Sequence, residues 1–281
     1  MNTKQMTRFA LYFFLGTAVV VAEDTAAPTN KLTPEQSTKA SELAKKLANP
    51  IANLISLPLQ YNYDENYGEN DKGSKSQLNI QPVAPFTLNE DWNLITRTIV
   101  PVIELKDMPG AGSESGLGDI TASQFFSPKA PTSGGWVWGA GLVELIPTAS
   151  EDTLGGEKWG LGPTAVALKQ AGPWTVGGLV NHVWSVAGES DRADINSTFI
   201  QPFVAYIIDA TKTTLSLNTE STYNWESEEW SVPVNLGAAQ LFRVKSQIMQ
   251  FQLGARYWVE SPDGGPEDWG LRCQLTFLFP K

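Results

Sequence analysis

Ile55-Ser56-Leu57-Pro58-Leu59-Gln60-Tyr61-Asn62-Tyr63-Asp64 places Ile, Leu, Leu, Tyr and Tyr at odd positions against Ser, Pro, Gln, Asn and Asp at even ones. A period of two sends the two sets to opposite faces of a β-strand, one face apolar and one wet. The last strand repeats the pattern: Trp269, Leu271, Cys273, Leu275, Phe277 and Phe279 share one parity, opposite Arg272, Gln274 and Thr276. Between these two, similar runs occur near 77–84, 92–105, 118–128, 136–147, 159–169, 174–187, 195–208, 213–224, 230–242 and 247–259. Twelve candidate strands result, most of about ten residues, the length a tilted strand needs to cross a bilayer.

Alternation alone also fits a soluble sandwich or a lipocalin-like barrel, so independent signs are needed. Connection length is the first. Even-numbered connections (Thr87–Asp91, Lys129–Gly135, Gln170–Pro173, Asp209–Lys212, Arg243–Ser246) are short. Odd ones such as Glu65–Gly73, Lys106–Leu117, Thr148–Lys158 and Glu260–Asp268 are longer and rich in Gly, Asp, Glu and Ser. Gly188–Asp194 and Trp225–Glu229 are the short exceptions. Short turns on one side and long loops on the other are the habit of membrane barrels. Tryptophan placement is the second sign. Trp92, Trp136 and Trp174 open strands on the short-turn side, while Trp159, Trp230 and Trp269 open them, and Trp258 closes one, on the other. Indoles prefer the headgroup level, which gives barrels two aromatic girdles; Trp138 and Trp184 read as mid-strand. The reading is a closed antiparallel transmembrane β-barrel of about twelve strands, all-β apart from one short helix.

The N-terminus supports export. Lys4 and Arg8 precede an apolar stretch over Phe9–Val21, and Val20-Val21-Ala22 offers a cleavage site, so residues 1–22 read as a signal peptide, with an uncleaved anchor as the alternative. Residues 23–50 form an extension. Thr33-Pro34-Glu35-Gln36 gives a helix start, and Asn49-Pro50 a stop, over about 34–48. A weak apolar stripe (Ala40, Leu43, Leu47) would let this helix plug the barrel of residues 51–281 or lie in the periplasm. Elsewhere no apolar run is long enough for a spanning helix, and closed β-structure is then the remaining way through lipid. A single cysteine, Cys273, excludes an internal disulfide, and a formal charge of −10 argues against nucleic acid.

The opening Ala48-Asn49-Pro50-Ile51-Ala52-Asn53-Leu54-Ile55-Ser56-Leu57-Pro58-Leu59-Gln60-Tyr61-Asn62 resembles that of a bacterial outer-membrane family catalogued with the MetA pathway of phenol degradation. Leu78-Asn79-Ile80-Gln81-Pro82-Val83, Gly116-Leu117-Gly118-Asp119-Ile120 and Gly160-Leu161-Gly162-Pro163-Thr164 are similar to its later segments, in the same order. The near-terminal Phe279 is similar to the barrel assembly signal, although Pro280 and Lys281 follow it. The resemblance implies an outer-membrane barrel that passes small, often hydrophobic or aromatic, compounds; it carries no catalytic motif.

If the Trp/Leu/Phe parity meets lipid, the other lines the lumen: Gln60, Asn62, Gln77, Asn79, Gln81, Arg97, Glu220, Asn235, Gln250, Gln252, Arg256, Arg272 and Gln274. Folding the last hairpin sets Arg256 roughly opposite Arg272, with Glu220 and Asp64 expected to answer their charge, since like charges across a strand pair repel. Such a group could form a belt that tunes selectivity or a network that stiffens the interior. The one histidine, His182, shares parity with Trp174, Val176 and Val180 and so points to lipid; no nucleophile–base pair can be drawn. Neither metal nor cofactor is expected. The expected partners are outer-membrane lipid, small solutes and the barrel assembly machinery. Passive transport of small organic molecules is the leading expectation; a closed structural, sensing or adhesive barrel is the alternative, and a barrel enzyme comes third.

Overall fold

The computed structural model describes residues 34–110 and 112–280. The expected signal peptide and the stretch that follows it lie outside the described residues. Helix α1 (Pro34–Leu47) leads into twelve barrel strands. These are β1 (Ile55–Tyr67), β2 (Gly73–Ile80, continuing as Val83–Thr87), β3 (Trp92–Met108), β4 (Gly112–Leu117, continuing as Ile120–Pro128) and β5 (Trp136–Ile146). Then come β6 (Lys158–Ala171), β7 (Trp174–Gly188), β8 (Asn196–Ile208), β9 (Thr213–Thr219 with Ser221–Asn224), β10 (Glu229–Val244), β11 (Gln247–Glu260) and β12 (Trp269–Phe279). Each pairs antiparallel with its sequence neighbours, and β1 pairs β12 (Leu57 with Phe277, Leu59 with Leu275), so the sheet closes on itself without an edge.

Three strands are interrupted, and proline accounts for each break. Pro82 itself lacks an N–H, and Gln81 donates instead to the carbonyl of Pro58 on β1 (2.9 Å). Gly118 bonds the carbonyl of Pro101 on β3 (2.9 Å). Pro202 on β8 falls opposite Thr219 and Pro233 on β10 opposite Glu220, whose N–H reaches the Pro233 carbonyl (3.3 Å). The side-chain alternation runs through every break unchanged, which is why each broken strand reads as one in the sequence.

The expected Lys106–Leu117 loop is a correction. Glu104 pairs with Ser115 and Leu105 with Glu114, so β3 and β4 continue as a hairpin, with Pro109 and Gly110 in its turn. Its charged side chains Glu104 and Lys106 are exposed, while Leu105 is buried. The Glu65–Gly73 connection shortens in the same way, β1 running to Tyr67.

Between the strand ends the outer face is apolar: Phe126, Leu142, Val176, Val180, Leu217, Leu236, Phe251 and Leu253 are all exposed. Burying such a surface in hydrocarbon is its only inexpensive environment. Near the end that holds Ile55 and Phe279, Trp92 meets Trp138 edge to face (5.9 Å) and Trp174 packs on Tyr206 (4.6 Å). Near the other end Tyr257 packs on Trp269 and Tyr223 on Trp230 (both 4.9 Å). Trp138 and Trp184 thus belong to the aromatic ends rather than mid-strand. Trp258 is the exception: it shares parity with Arg256 and points into the lumen. Arginine on the lipid face at mid-height costs about 2–4 kcal/mol. Leu253→Arg is therefore expected to lower the urea midpoint of the liposome-folded barrel clearly, read by tryptophan fluorescence.

Candidate functional site

All thirteen inward-parity residues lie on the inner face. Gln60, Asn62, Asn79, Gln81, Asn235, Gln250, Arg256 and Arg272 are buried; Gln77, Arg97, Glu220, Gln252 and Gln274 are half-buried. At mid-height they join into a hydrogen-bonded septum. Arg97 on β3 donates to Gln81 Oε1 (2.7 Å), and Gln81 Nε2 donates to Gln60 Oε1 (3.1 Å). Gln60 Nε2 donates to Asn62 Oδ1 (3.4 Å), which also accepts from Arg272 Nε (2.7 Å). Arg272 then crosses to Glu220 on β9 through two bonds of 2.8 and 2.6 Å, and Gln201 on β8 donates to the same carboxylate (3.4 Å). Since β10 and β11 intervene on the wall, the Arg272–Glu220 pair is a chord across the lumen. A bidentate guanidinium–carboxylate contact is the strongest form such a chord can take.

Toward the long-loop end stands a second pair. Arg256 Nε lies 3.2 Å from Asp64 Oδ1, an ion pair rather than an aligned hydrogen bond. Trp258 Nε1 donates to the same oxygen (2.9 Å), and the Arg256 guanidinium lies 4.7 Å above the Trp258 ring. Lys75, opposite Asp64 in register, adds a cation that the sequence reading passed over. The expected face-to-face placement of Arg256 and Arg272 is corrected by two residues: Arg256 pairs with Gly270 and Arg272 with Gly254. Each arginine faces a glycine, which leaves room for its head group. A Cβ at Gly270 would fall 2.6 Å from Asp64 Oδ1 and 2.6 Å from the Tyr63 carbonyl. Gly270→Val should therefore separate Asp64 from Arg256 and lower the yield of folded barrel, scored as heat-modifiable migration on gels.

The septum divides the interior. Gln60, Gln81, Arg97, Gln201 and Glu220 line both a cavity of about 240 Å³ on the terminal side and one of about 290 Å³ on the long-loop side. The terminal cavity is floored by the segment after α1. Asn49 Oδ1 accepts the N–H of Ile51 (3.0 Å), an Asx turn that directs the chain inward. Gln170 on β6 donates to the Lys45 carbonyl (2.8 Å), satisfying an otherwise open C-terminal group of α1. Ile51 enters a cluster with Ile95, Phe125, Val166, Leu168 and Leu179, while Ala52 and Leu54 pack on Leu278 of the neighbouring β12. Among the described residues, the end of α1 and residues 48–54 thus lie at the terminal end of the lumen, the first of the two placements open in the sequence.

At the opposite mouth, Asp119 ties down the 147–157 loop. Its Oδ1 accepts from the N–H of Thr148 and Ala149 (3.1 Å each) and its Oδ2 from that of Gly156 (2.7 Å). Leu154 of that loop is buried against Ile103 and Leu105. Asp119→Ala would leave three amides unpaired at about 1 kcal/mol each. Faster proteolysis within 147–157 is the expected readout. His182 faces outward, its Nδ1 2.7 Å from Thr198 Oγ1 and its ring 4.0 Å from Trp184.

A closed antiparallel barrel with an apolar belt between aromatic rings and a polar interior is an outer-membrane β-barrel, and this chain is one. Among solved structures it is similar to an outer membrane channel from Pseudomonas putida F1. The TM-score is 0.63 at 18% identity, over 81% of this chain and 96% of that one. It is also similar to NanC porin, with a TM-score of 0.50 at 9% identity, over 81% of this chain and 100% of the porin. At these identities the likeness is one of fold. No family model matches the chain, and no curated protein matches it.

Proposed function

We propose that this barrel passes small organic molecules passively across the outer membrane, and that α1 with residues 48–54 holds it shut. The observation that carries this reading is two cavities in series within one lumen, sharing a septum made of movable side chains rather than backbone. A lumen meant only to be filled has no need of such voids, since interiors otherwise pack to crystal density. The likeness to a channel and a porin supports the same reading, as does the resemblance of residues 48–62 to the MetA-pathway outer-membrane family. Export through a signal at 1–22 and insertion by the barrel assembly machinery belong to the same proposal, as does the absence of catalysis, His182 being turned to lipid. The closed, structural alternative draws on the apolar packing around Ile51. Planar-bilayer recording separates the two: discrete small conductance steps are expected, and a silent barrel that also fails to pass solutes in liposome swelling would favour the structural reading.

A further inference from the structure

Arg97 differs from the other arginines of the lumen. Arg256 is paired with Asp64 and Arg272 with Glu220, whereas Arg97 makes no ion pair among the described residues. The nearby Glu220 carboxylate is bound by Arg272 through both oxygens, so two guanidiniums share one carboxylate. The Arg97 contact is the neutral Gln81 carbonyl at 2.7 Å, and Gln81 is itself anchored by Gln60. The guanidinium is therefore held in place with its charge only partly offset, and it lines the 290 Å³ cavity. Beside Arg97 the lining holds Glu220, bound by Arg272, and beyond them the wall changes character: Phe125, Val143, Leu179, Val183 and Phe199 present apolar surface, with Ser123 and Asn181 between them.

Resting on the reading of the lumen as a solute path, we propose that this cavity is a binding site for a small amphipathic organic anion. Its carboxylate pairs with Arg97, and its apolar body lies on the β4–β8 wall. A planar guanidinium with free donors suits a carboxylate, and an apolar pocket with few placed polar groups suits the body. The volume would hold on the order of ten to twenty waters, hence a ligand of about that many non-hydrogen atoms at most. A cation would meet Arg97 at close range, while the Glu220 carboxylate is already bound by Arg272, and is disfavoured.

Hexanoate is a suitable probe, with hexylammonium as its cationic counterpart. The full chain is folded in detergent, and binding is followed by titration calorimetry, which needs no open path. Saturable one-to-one binding of hexanoate is expected, with none of hexylammonium. Arg97→Gln should weaken hexanoate roughly tenfold or more, and Arg97→Lys should retain part of the affinity. Equal binding of the two probes, no saturable hexanoate binding, or wild-type affinity in Arg97→Gln would each overturn the proposal. If that variant does not fold, the comparison of probes on the wild-type barrel still decides. A barrel that binds hexanoate but never conducts would sink the transport reading alone.

Discussion

Deleting residues 34–53 is expected to raise the single-channel conductance of the reconstituted barrel by roughly an order of magnitude, because an apolar constriction excludes water as well as solute. The deleted segment carries Ala44, Ile51 and Ala52, each buried toward the terminal end of the lumen. Twelve strands fall between the eight that side chains fill and the sixteen that leave a water-filled channel, so the plug decides whether this lumen is open. A milder change checks the assignment. Ile51→Ala removes contacts with Ile95, Phe125 and Leu168, should cost about 2–4 kcal/mol of local packing, and should give brief, frequent openings. Unchanged conductance in both variants would mean that the plug is not the gate.

The second large effect concerns the chord. Glu220→Ala leaves Arg272, only 4% exposed, with no countercharge, and removing one partner of a buried pair costs about 3–5 kcal/mol. The expected result is a sharp fall in the fraction of chain that migrates as folded barrel before boiling. Combining it with Arg272→Met should restore much of that fraction, since a well-packed neutral pair is often as stable as the ion pair it replaces. Were the double variant as defective as the single one, the loss would reside in the strand break at Glu220 rather than in its charge.

Most of the barrel was legible because a membrane barrel writes its architecture into parity. Gln60, Gln81, Arg97, Glu220 and Arg272 each follow from neighbours two residues away, and the breaks at Gln81-Pro82 and Glu220 leave that parity intact. What parity does not encode was misread. Arg256 and Arg272 are two residues out of register because the 261–268 loop, not the strands, sets the hairpin pairing. Trp258 shares parity with Arg256, and that inward signal was outweighed by the preference of indoles for interfaces; its bond to Asp64 shows why the lumen accommodates it. The plug lay beyond local reading altogether. Asn49-Pro50 announces a turn, but its direction is set by Gln170 and Leu278, both more than a hundred residues away. The charge left over at Arg97 required knowing which carboxylates were already occupied, a property of the assembled network.

The central claim is that successive side chains of one strand meet lipid and lumen in turn. Spin labels placed singly at 271–277 of β12 in a Cys273→Ser background, with the barrel in liposomes, test it by collision with oxygen and with a hydrophilic nickel chelate. A period of two is expected, with high oxygen and low nickel accessibility at 271, 273, 275 and 277 and the reverse tendency at the even positions. A profile without that alternation, or with nickel reaching both parities equally, would contradict it.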